Sequence, residues 1–312
     1  MDGQALERME ALRIPPAWRD VRISPRPGAK LQATGLDAAG RRQYLYHPEY
    51  RARQEQEKFD KLIRFAERLP ELRAAMAKHV EREPFTFEWT AAVAVRLINL
   101  GWFRVGDERY ARKFRTFGIT TLRKGHVRVR GSRIAFRFRG KHHVRVRTAL
   151  VDAELADAIR ALLGVKGGRR LFRYRNGDEL LNLTGRRLNR YIREHMGDEF
   201  TAKDFRTWGG TLLAAIALAE RGDAATQAEQ KRTIAAIMRT VGERLGNTAA
   251  VARASYVSPA VIEQYRDGRT IDDFRPRHLR VVGARDMGLE LEEEALLSLL
   301  RSWRIRRERE AA

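Results

Sequence analysis

Tyr256 stands in the segment Leu245-Gly-Asn-Thr-Ala-Ala-Val-Ala-Arg-Ala-Ser-Tyr-Val-Ser-Pro259, among small and apolar residues, with Arg253 and Ser255 just before it. A phenol at such a place is ordinarily a core aromatic whose hydroxyl finds one partner. It is also a group able to attack a phosphodiester. Cleaving that bond without a metal takes a nucleophile, cationic donors for the equatorial oxygens of the transition state, and an acid for the leaving oxygen. Arginine suits the second task, because its planar fork binds two phosphoryl oxygens and stays protonated. A lysine on a hairpin tip suits the third. What Tyr256 does therefore depends on whether two arginines and a lysine stand at positions fit for these tasks.

Composition narrows the partner. The 312 residues hold 62 Lys and Arg against 40 Asp and Glu, a net charge of +22. Such an excess repels itself unless a polyanion neutralises it, which favours nucleic acid. Basic residues recur in nearly every segment, as an extended concave binding surface requires and a single basic tail does not. No apolar run approaches the roughly 20 residues that span a bilayer, and the opening MDGQALERME lacks the pattern of a signal peptide. With no cysteine, thiolate nucleophiles, disulfides and Cys-type zinc sites are excluded. The seven histidines are scattered, only His142 and His143 being neighbours, so no metal site is expected. Gly35-Leu-Asp-Ala-Ala-Gly40 has P-loop spacing but continues with Arg41-Arg42, so it carries no ATP signal. No cofactor is expected.

Alternating patterns and turn residues place these groups on elements. Residues 14 to 50 read as three short strands around Val21, Lys30–Thr34 and Arg42–His47, forming a small antiparallel sheet. A helical pattern runs from Arg51 to Val80, with Pro70 expected to interrupt it. Glu81–Pro84 then reads as a hinge, dividing the chain into domains at 1–83 and 84–312. Within 126–147, Val127, Val129, Ile134, Phe136, Phe138, Val144 and Val146 alternate with arginines, and turns fall at Gly131-Ser132 and Gly140-Lys141. Period two sorts apolar groups to one face and arginines to the other, a three-stranded meander with one cationic face. Helices are expected over 87–100, 152–163, 184–195, 202–220, 227–245 and 289–304. The fold class is α+β, a small β-rich domain followed by a mainly helical one.

Five separated segments, in this order, resemble the type IB DNA topoisomerases, in particular the small poxvirus-like enzymes that bacteria also carry. Trp102-Phe-Arg104-Val-Gly is similar to the segment of the first catalytic arginine. Gly140-Lys141 lies on the hairpin turn where that family places its general-acid lysine. Lys203-Asp-Phe-Arg206-Thr resembles the helix start bearing the second arginine. Leu245-Gly-Asn247-Thr and Arg253-Ala-Ser-Tyr256 resemble the remaining two elements, the last holding the nucleophile. Arg42-Gln43-Tyr44-Leu-Tyr46-His matches a Q-Y-x-Y motif by which these enzymes touch DNA. The resemblance covers about Ile14 to Tyr265.

The resemblance implies a C-shaped clamp around duplex DNA, acting as a cytoplasmic, nucleoid-associated monomer without ATP or metal. It also implies attack by Tyr256, a 3′-phosphotyrosyl intermediate, phosphoryl contacts from Arg104 and Arg206, and protonation of the leaving oxygen by Lys141. Asn247 stands where poxvirus-like enzymes often have histidine, while bacterial members carry asparagine there. An amide donates but does no proton chemistry, so its implied role is electrostatic. Gln43, Tyr44 and Tyr46, with Arg109, Tyr110 and Lys203, are the further implied DNA contacts. Two readings stay open beside this one. A tyrosine recombinase shares the phosphotyrosine step, although its second arginine usually sits in H-x-x-R and its N-terminal domain is helical. A non-catalytic basic DNA-binding protein accounts for the charge but not for the ordered five residues.

Overall fold

The computed structural model describes residues 3–275 and 289–311; residues 276–288, in the stretch after Asp267, lie outside the described residues. The chain divides into two compact units between Lys61 and Leu62. The division falls inside a helix.

The first unit holds helix α1 (Gly3–Ala11) and an antiparallel sheet of β1 (Arg19–Ile23), β2 (Leu31–Leu36) and β3 (Arg42–Tyr46), in that spatial order. Helix α1 is not marked by the periodicity of the sequence. It is tied down by Arg8, whose Nη2 donates to the Ser24 carbonyl at 2.7 Å and to Gln32 Oε1 at 3.0 Å. Helix α2 (Pro48–Val80) begins in this unit and runs on through Pro70 without a break. A proline there forfeits one ladder bond and crowds the preceding turn. Phe65, Ala66, Leu69 and Leu72, all fully buried, hold the helix together against that penalty, and this is why the expected interruption does not occur.

The second unit is mainly helical. Helix α3 (Phe87–Gly101) lies at its centre, with every residue from Trp89 to Val95 buried. Its N-terminus is capped by Thr86, whose hydroxyl accepts from the Trp89 N–H at 3.2 Å. Around it pack α5 (Ala153–Gly164), α6 (Gly185–Met196) and α7 (Asp204–Arg221). Before α5 come the short α4 (Glu108–Lys113) and the meander β4 (Val127–Arg130), β5 (Arg133–Arg139) and β6 (Arg145–Val151). Ile134, Phe136 and Phe138 are buried on one face, while Arg133, Arg137 and Arg139 are exposed on the other. A two-stranded hairpin, β7 (Arg173–Asn176) and β8 (Glu179–Asn182), was not expected from periodicity. Helices α8 (Gln227–Leu245), α9 (Ala249–Ser255), α10 (Pro259–Arg266) and α11 (Leu291–Ala311) complete the unit.

Helix α11 is fastened by two indole–carboxylate bonds running in opposite senses. Glu293, 5% exposed, accepts from Trp208 Nε1 of α7 at 3.1 Å and pairs with both Nη atoms of Arg73 at 2.7 and 2.9 Å. Trp303 of α11 donates to Glu263 Oε2 of α10 at 2.6 Å. Among the described residues no helix is long and apolar enough to cross a membrane.

Candidate active site

Arg104 follows the end of α3. Trp102 closes that helix in the left-handed region (φ 51°, ψ 35°), its N–H donating to the Ile98 carbonyl. Bulky residues seldom adopt this conformation. Packing holds it: the indole lies so close to Gly209 of α7 that a Cβ there would come within 2.2 Å of its nitrogen. The turned backbone presents the Trp102 carbonyl to Arg206, whose Nη1 donates to it at 2.6 Å. Nη2 of Arg206 donates to the Leu245 carbonyl at 2.7 Å. Arg206, 5% exposed on the first turn of α7, is thereby held between the ends of α3 and α8. Two residues earlier, the Asp204 carboxylate accepts from the Thr201 N–H at 2.7 Å.

Tyr256 caps the C-terminus of α9, in the two-helix corner before α10. Its carbonyl accepts from Thr211 Oγ1 of α7 at 3.2 Å, and a Cβ at Gly210 would approach that same carbonyl to 2.7 Å. Its ring centroid lies 5.0 Å from Cζ of Arg206. One helix, α7, therefore sets both the second arginine and the tyrosine. Asn247 follows the left-handed cap Gly246 of α8. Arg104 Nη2 donates to Asn247 Oδ1 at 2.7 Å and to the Gly246 carbonyl at 3.3 Å.

Four of the sequence-derived residues, Arg104, Arg206, Asn247 and Tyr256, thus form one cluster. Burial disfavours the Tyr256 phenolate, but the charges of Arg206, Arg104 and Lys203 outweigh it and hold the phenol below its ordinary value. Burial, with Arg104 beside it, pushes Arg206 down to about 10. Burial also lowers Arg104, against the opposing pull of Tyr256. Both guanidiniums remain cationic at neutral pH. Arg206 Nε and Asn247 Nδ2 are buried with no acceptor in the protein. Orphaned buried donors are rare, and here two stand beside an acidified phenol. A cavity of about 280 Å³ opens at the cluster, lined among others by Trp102, Arg104, Arg206, Arg244, Gly140 and Val144.

Lys141 is not in the cluster. It stands exposed on the β5–β6 turn, whose flanking Gly140 and Val144 line the cavity in its place. His142 and His143 in that turn both have φ of 59°. Lys203 is exposed just before α7. Arg109 is exposed and Tyr110 half-buried on α4, the Tyr110 ring 5.5 Å from Phe114, and neither lines the cavity. In the first unit, Tyr44 and Tyr46 share an exposed face of β3 with ring centroids 6.3 Å apart. Gln43 points the other way and donates from Nε2 to Asp37 Oδ2 at 2.9 Å.

Sequence reasoning missed the residues that set the cluster: Trp102, Gly209, Gly210 and Thr211. A signal existed, since two adjacent glycines inside a helix each cost about 0.5–1 kcal/mol against alanine and mark a close approach.

Comparison with known proteins completes the picture. The profile of the eukaryotic DNA topoisomerase I catalytic core matches residues 47–274, a span that holds all four clustered residues and Lys141. The chain belongs to the type IB DNA topoisomerases. The profile of the bacterial DNA topoisomerase IB N-terminal domain matches residues 1–37 of this topoisomerase. DNA topoisomerase 1B of Acanthamoeba polyphaga mimivirus is 34% identical over 270 residues, covering 84% of this chain and 80% of the viral one. DNA topoisomerase I of Monkeypox virus and DNA topoisomerase 1B of Vaccinia virus (strain Copenhagen) are each 20% identical over 278 residues, 87% of this chain and 85% of theirs. The topoisomerase is an enzyme acting on DNA.

Proposed function

We propose that this topoisomerase relaxes supercoiled duplex DNA by nicking and resealing one strand through Tyr256, with neither ATP nor a metal. The observation that carries this reading is the Tyr256 ring 5.0 Å from the buried Arg206 guanidinium, with half-buried Arg104 bonded to Asn247 in the same cluster and Arg206 Nε and Asn247 Nδ2 lacking any protein acceptor. The phenolate oxygen attacks a backbone phosphorus, an O–P bond forms, and the bond to the 5′-oxygen breaks. Arg104 and Arg206 neutralise the nonbridging oxygens, and Asn247 donates to one of them through its amide. Lys141, carried in by its hairpin, gives its proton to the departing 5′-oxygen. The 3′-phosphotyrosyl ester is a phosphodiester like the one broken, so torsional strain in the DNA suffices to drive relaxation once the free end turns. Religation runs the steps backwards.

The same reading has one chain working alone on one duplex in the cytoplasm, at the nucleoid, the domains of 1–83 and 84–312 closing around DNA as a C-shaped clamp. Tyr44 and Tyr46 would add contacts from the first unit, with Gln43, Arg109, Tyr110 and Lys203 as further ones. Negatively supercoiled plasmid incubated in EDTA without ATP tests the reading. Ladders of relaxed topoisomers from the parent and none from Tyr256→Phe support it. Binding without relaxation by either protein overturns it.

A further inference from the structure

The backbone through Arg104 is held by a segment that is not itself part of the cluster. Residues 116–122, all buried except half-buried Phe117, run past it and include a 3₁₀ turn over Ile119–Thr121. Ile119 N–H donates to the Arg104 carbonyl at 2.8 Å, and Thr120 N–H to the Val105 carbonyl at 2.8 Å. Phe117 of the same segment donates its N–H to the Arg139 carbonyl at 2.7 Å. Arg139 ends β5, two residues before Lys141, and Gly140 N–H donates to the Val144 carbonyl at 2.8 Å to close that turn. Phe117-Gly-Ile119 therefore joins the backbone of Arg104 to the foot of the lysine hairpin. Only two residues separate the two donors, at most about 7 Å of chain.

Gly118, the residue between them, is extended (φ −147°), a conformation any residue adopts. Room is what singles it out. A Cβ there would come within 2.5 Å of the Arg104 carbonyl oxygen and 2.7 Å of Gly106 Cα. Gly106 is crowded in turn: its φ is 94°, and a Cβ on it would lie 2.6 Å from Thr121 Oγ1. Glycines so placed mark a close approach of backbone to backbone. Thr121 seats Gly118, its hydroxyl accepting from the Gly118 N–H at 2.9 Å and donating to the Gly118 carbonyl at 3.1 Å. Hairpin and arginine meet again at the cap of α8, where a Cβ on Gly246 would lie 3.5 Å from Arg104 Nη1 and 3.7 Å from Val144 Cγ1. Phe117 lines the same cavity as Arg104 and Val144.

We infer that Gly118 is a positioning residue for strand cleavage, setting the Lys141 hairpin and Arg104 at one fixed separation so that the acid for the leaving oxygen and a phosphoryl donor meet the same phosphate. The inference rests on the reading of Lys141 as that acid. Gly118 is buried and acts only through the backbone bonds of its neighbours.

The test is single-turnover cleavage by the full chain at saturating duplex, on an ordinary phosphodiester and on a 5′-bridging phosphorothiolate, whose thiolate needs no acid to depart. Lys141→Ala is the reference, slow on the first substrate and restored on the second. Gly118→Ala drives the two backbones apart and is expected to slow ordinary cleavage about 10²-fold, the scale of a 1 Å misplacement. The phosphorothiolate should recover about tenfold of that loss, the remainder falling on Arg104. Thr121→Val removes the seating hydroxyl while keeping the side chain's shape, and it decides the matter should Gly118→Ala fail to fold. It is expected to be about tenfold slower on the ordinary substrate and within about threefold of the parent on the phosphorothiolate. Thr121→Ser, which keeps the hydroxyl, should recover the parent rate to within about threefold. Duplex affinity, read in a Tyr256→Phe background, should move less than about threefold throughout. For Thr121→Val, an unchanged rate, an equal loss on both substrates, or a loss in affinity alone overturns the inference and leaves the topoisomerase reading intact. A Lys141→Ala variant that the phosphorothiolate does not restore overturns the acid reading and the inference with it. Absence of cleavage by the parent overturns the proposed function itself.

Discussion

Arg104 Nη2 and Asn247 Oδ1 are 2.7 Å apart, and this single bond fixes the amide with its oxygen spent on the protein and its nitrogen left as a buried, unclaimed donor. An amide held this way donates a hydrogen bond without titrating. Asn247→Ala is expected to slow single-turnover cleavage at saturating DNA by about 10², the usual loss for one donor to a transition-state oxygen. Asn247→Asp should fall further, because a carboxylate would pair with Arg104 and repel the phosphate. Asn247→His should add a limb to the pH–rate profile near the ordinary imidazole value of about 6.5, absent from the parent. A parent profile already bending there would count against the amide's role.

The phenol of Tyr256 lies below its ordinary value because Arg206, Arg104 and Lys203 together outweigh burial. Its reactive form is the deprotonated one. Cleavage should therefore rise with pH and level off below the ordinary tyrosine value of about 10. Arg206→Ala removes the largest lowering charge, so the rise should move to higher pH as well as to a smaller maximum. Cleavage of a 5′-bridging phosphorothiolate, whose sulfur leaves without protonation, keeps Lys141 out of the reading. An unmoved midpoint would refute the electrostatic account.

Gly209 and Gly210 occupy consecutive positions of α7, one against the Trp102 indole and one against the Tyr256 carbonyl. Alanine should strengthen an exposed helix by about 0.5–1 kcal/mol at such places. Here Gly209→Ala and Gly210→Ala are expected to lower the melting temperature instead, since the methyl meets an aromatic ring in one case and backbone in the other. Gly209→Ala should also reduce cleavage more than DNA affinity, because it displaces the segment leading into Arg104. Thermal melting and single-turnover kinetics separate the two effects.

Removal of Glu293 tests the fastening of α11. Its carboxylate is nearly buried and satisfies both Arg73 and the Trp208 indole. Glu293→Ala leaves Arg73 without that partner and is expected to destabilise folding by about 3 kcal/mol, against about 2 kcal/mol for Trp208→Phe, which loses one hydrogen bond and leaves a small cavity against Phe65. Denaturant midpoints of the two variants decide the ranking.

Legibility in the sequence followed the range over which each signal acts. The meander could be read because period two persists along each strand and buries Val127, Ile134, Phe136 and Phe138, although Val129 and Val146 are only half-buried and Val144 is exposed in the β5–β6 turn rather than on a strand. The β7–β8 hairpin has strands of only four residues, too short for a period to declare itself, although Gly177-Asp178 marks its two-residue turn. Pro70 reads locally as a break, yet tertiary burial of its neighbours overrules it. At the site, residue types in order pointed to Arg104, Arg206, Asn247 and Tyr256, since each carries chemistry of its own. Trp102 and Gly209 carry none. Their contact joins positions more than a hundred residues apart, and no local pattern foretells it.

Helix α11 leaves the ribosome after every residue of the catalytic cluster, and Glu293 and Trp303 add a further brace to α7 and α10, which already meet through Ser258 N–H to Thr211 Oγ1 at 3.1 Å and the Tyr265 hydroxyl to the Gly222 carbonyl at 3.0 Å. A nascent chain that has already exposed Tyr256 still lacks that further brace between the helix of Arg206 and the helix following the nucleophile. The contacts of α11 are thus long-range additions to a cluster whose own residues are already joined by bonds among α3, α7, α8 and α9.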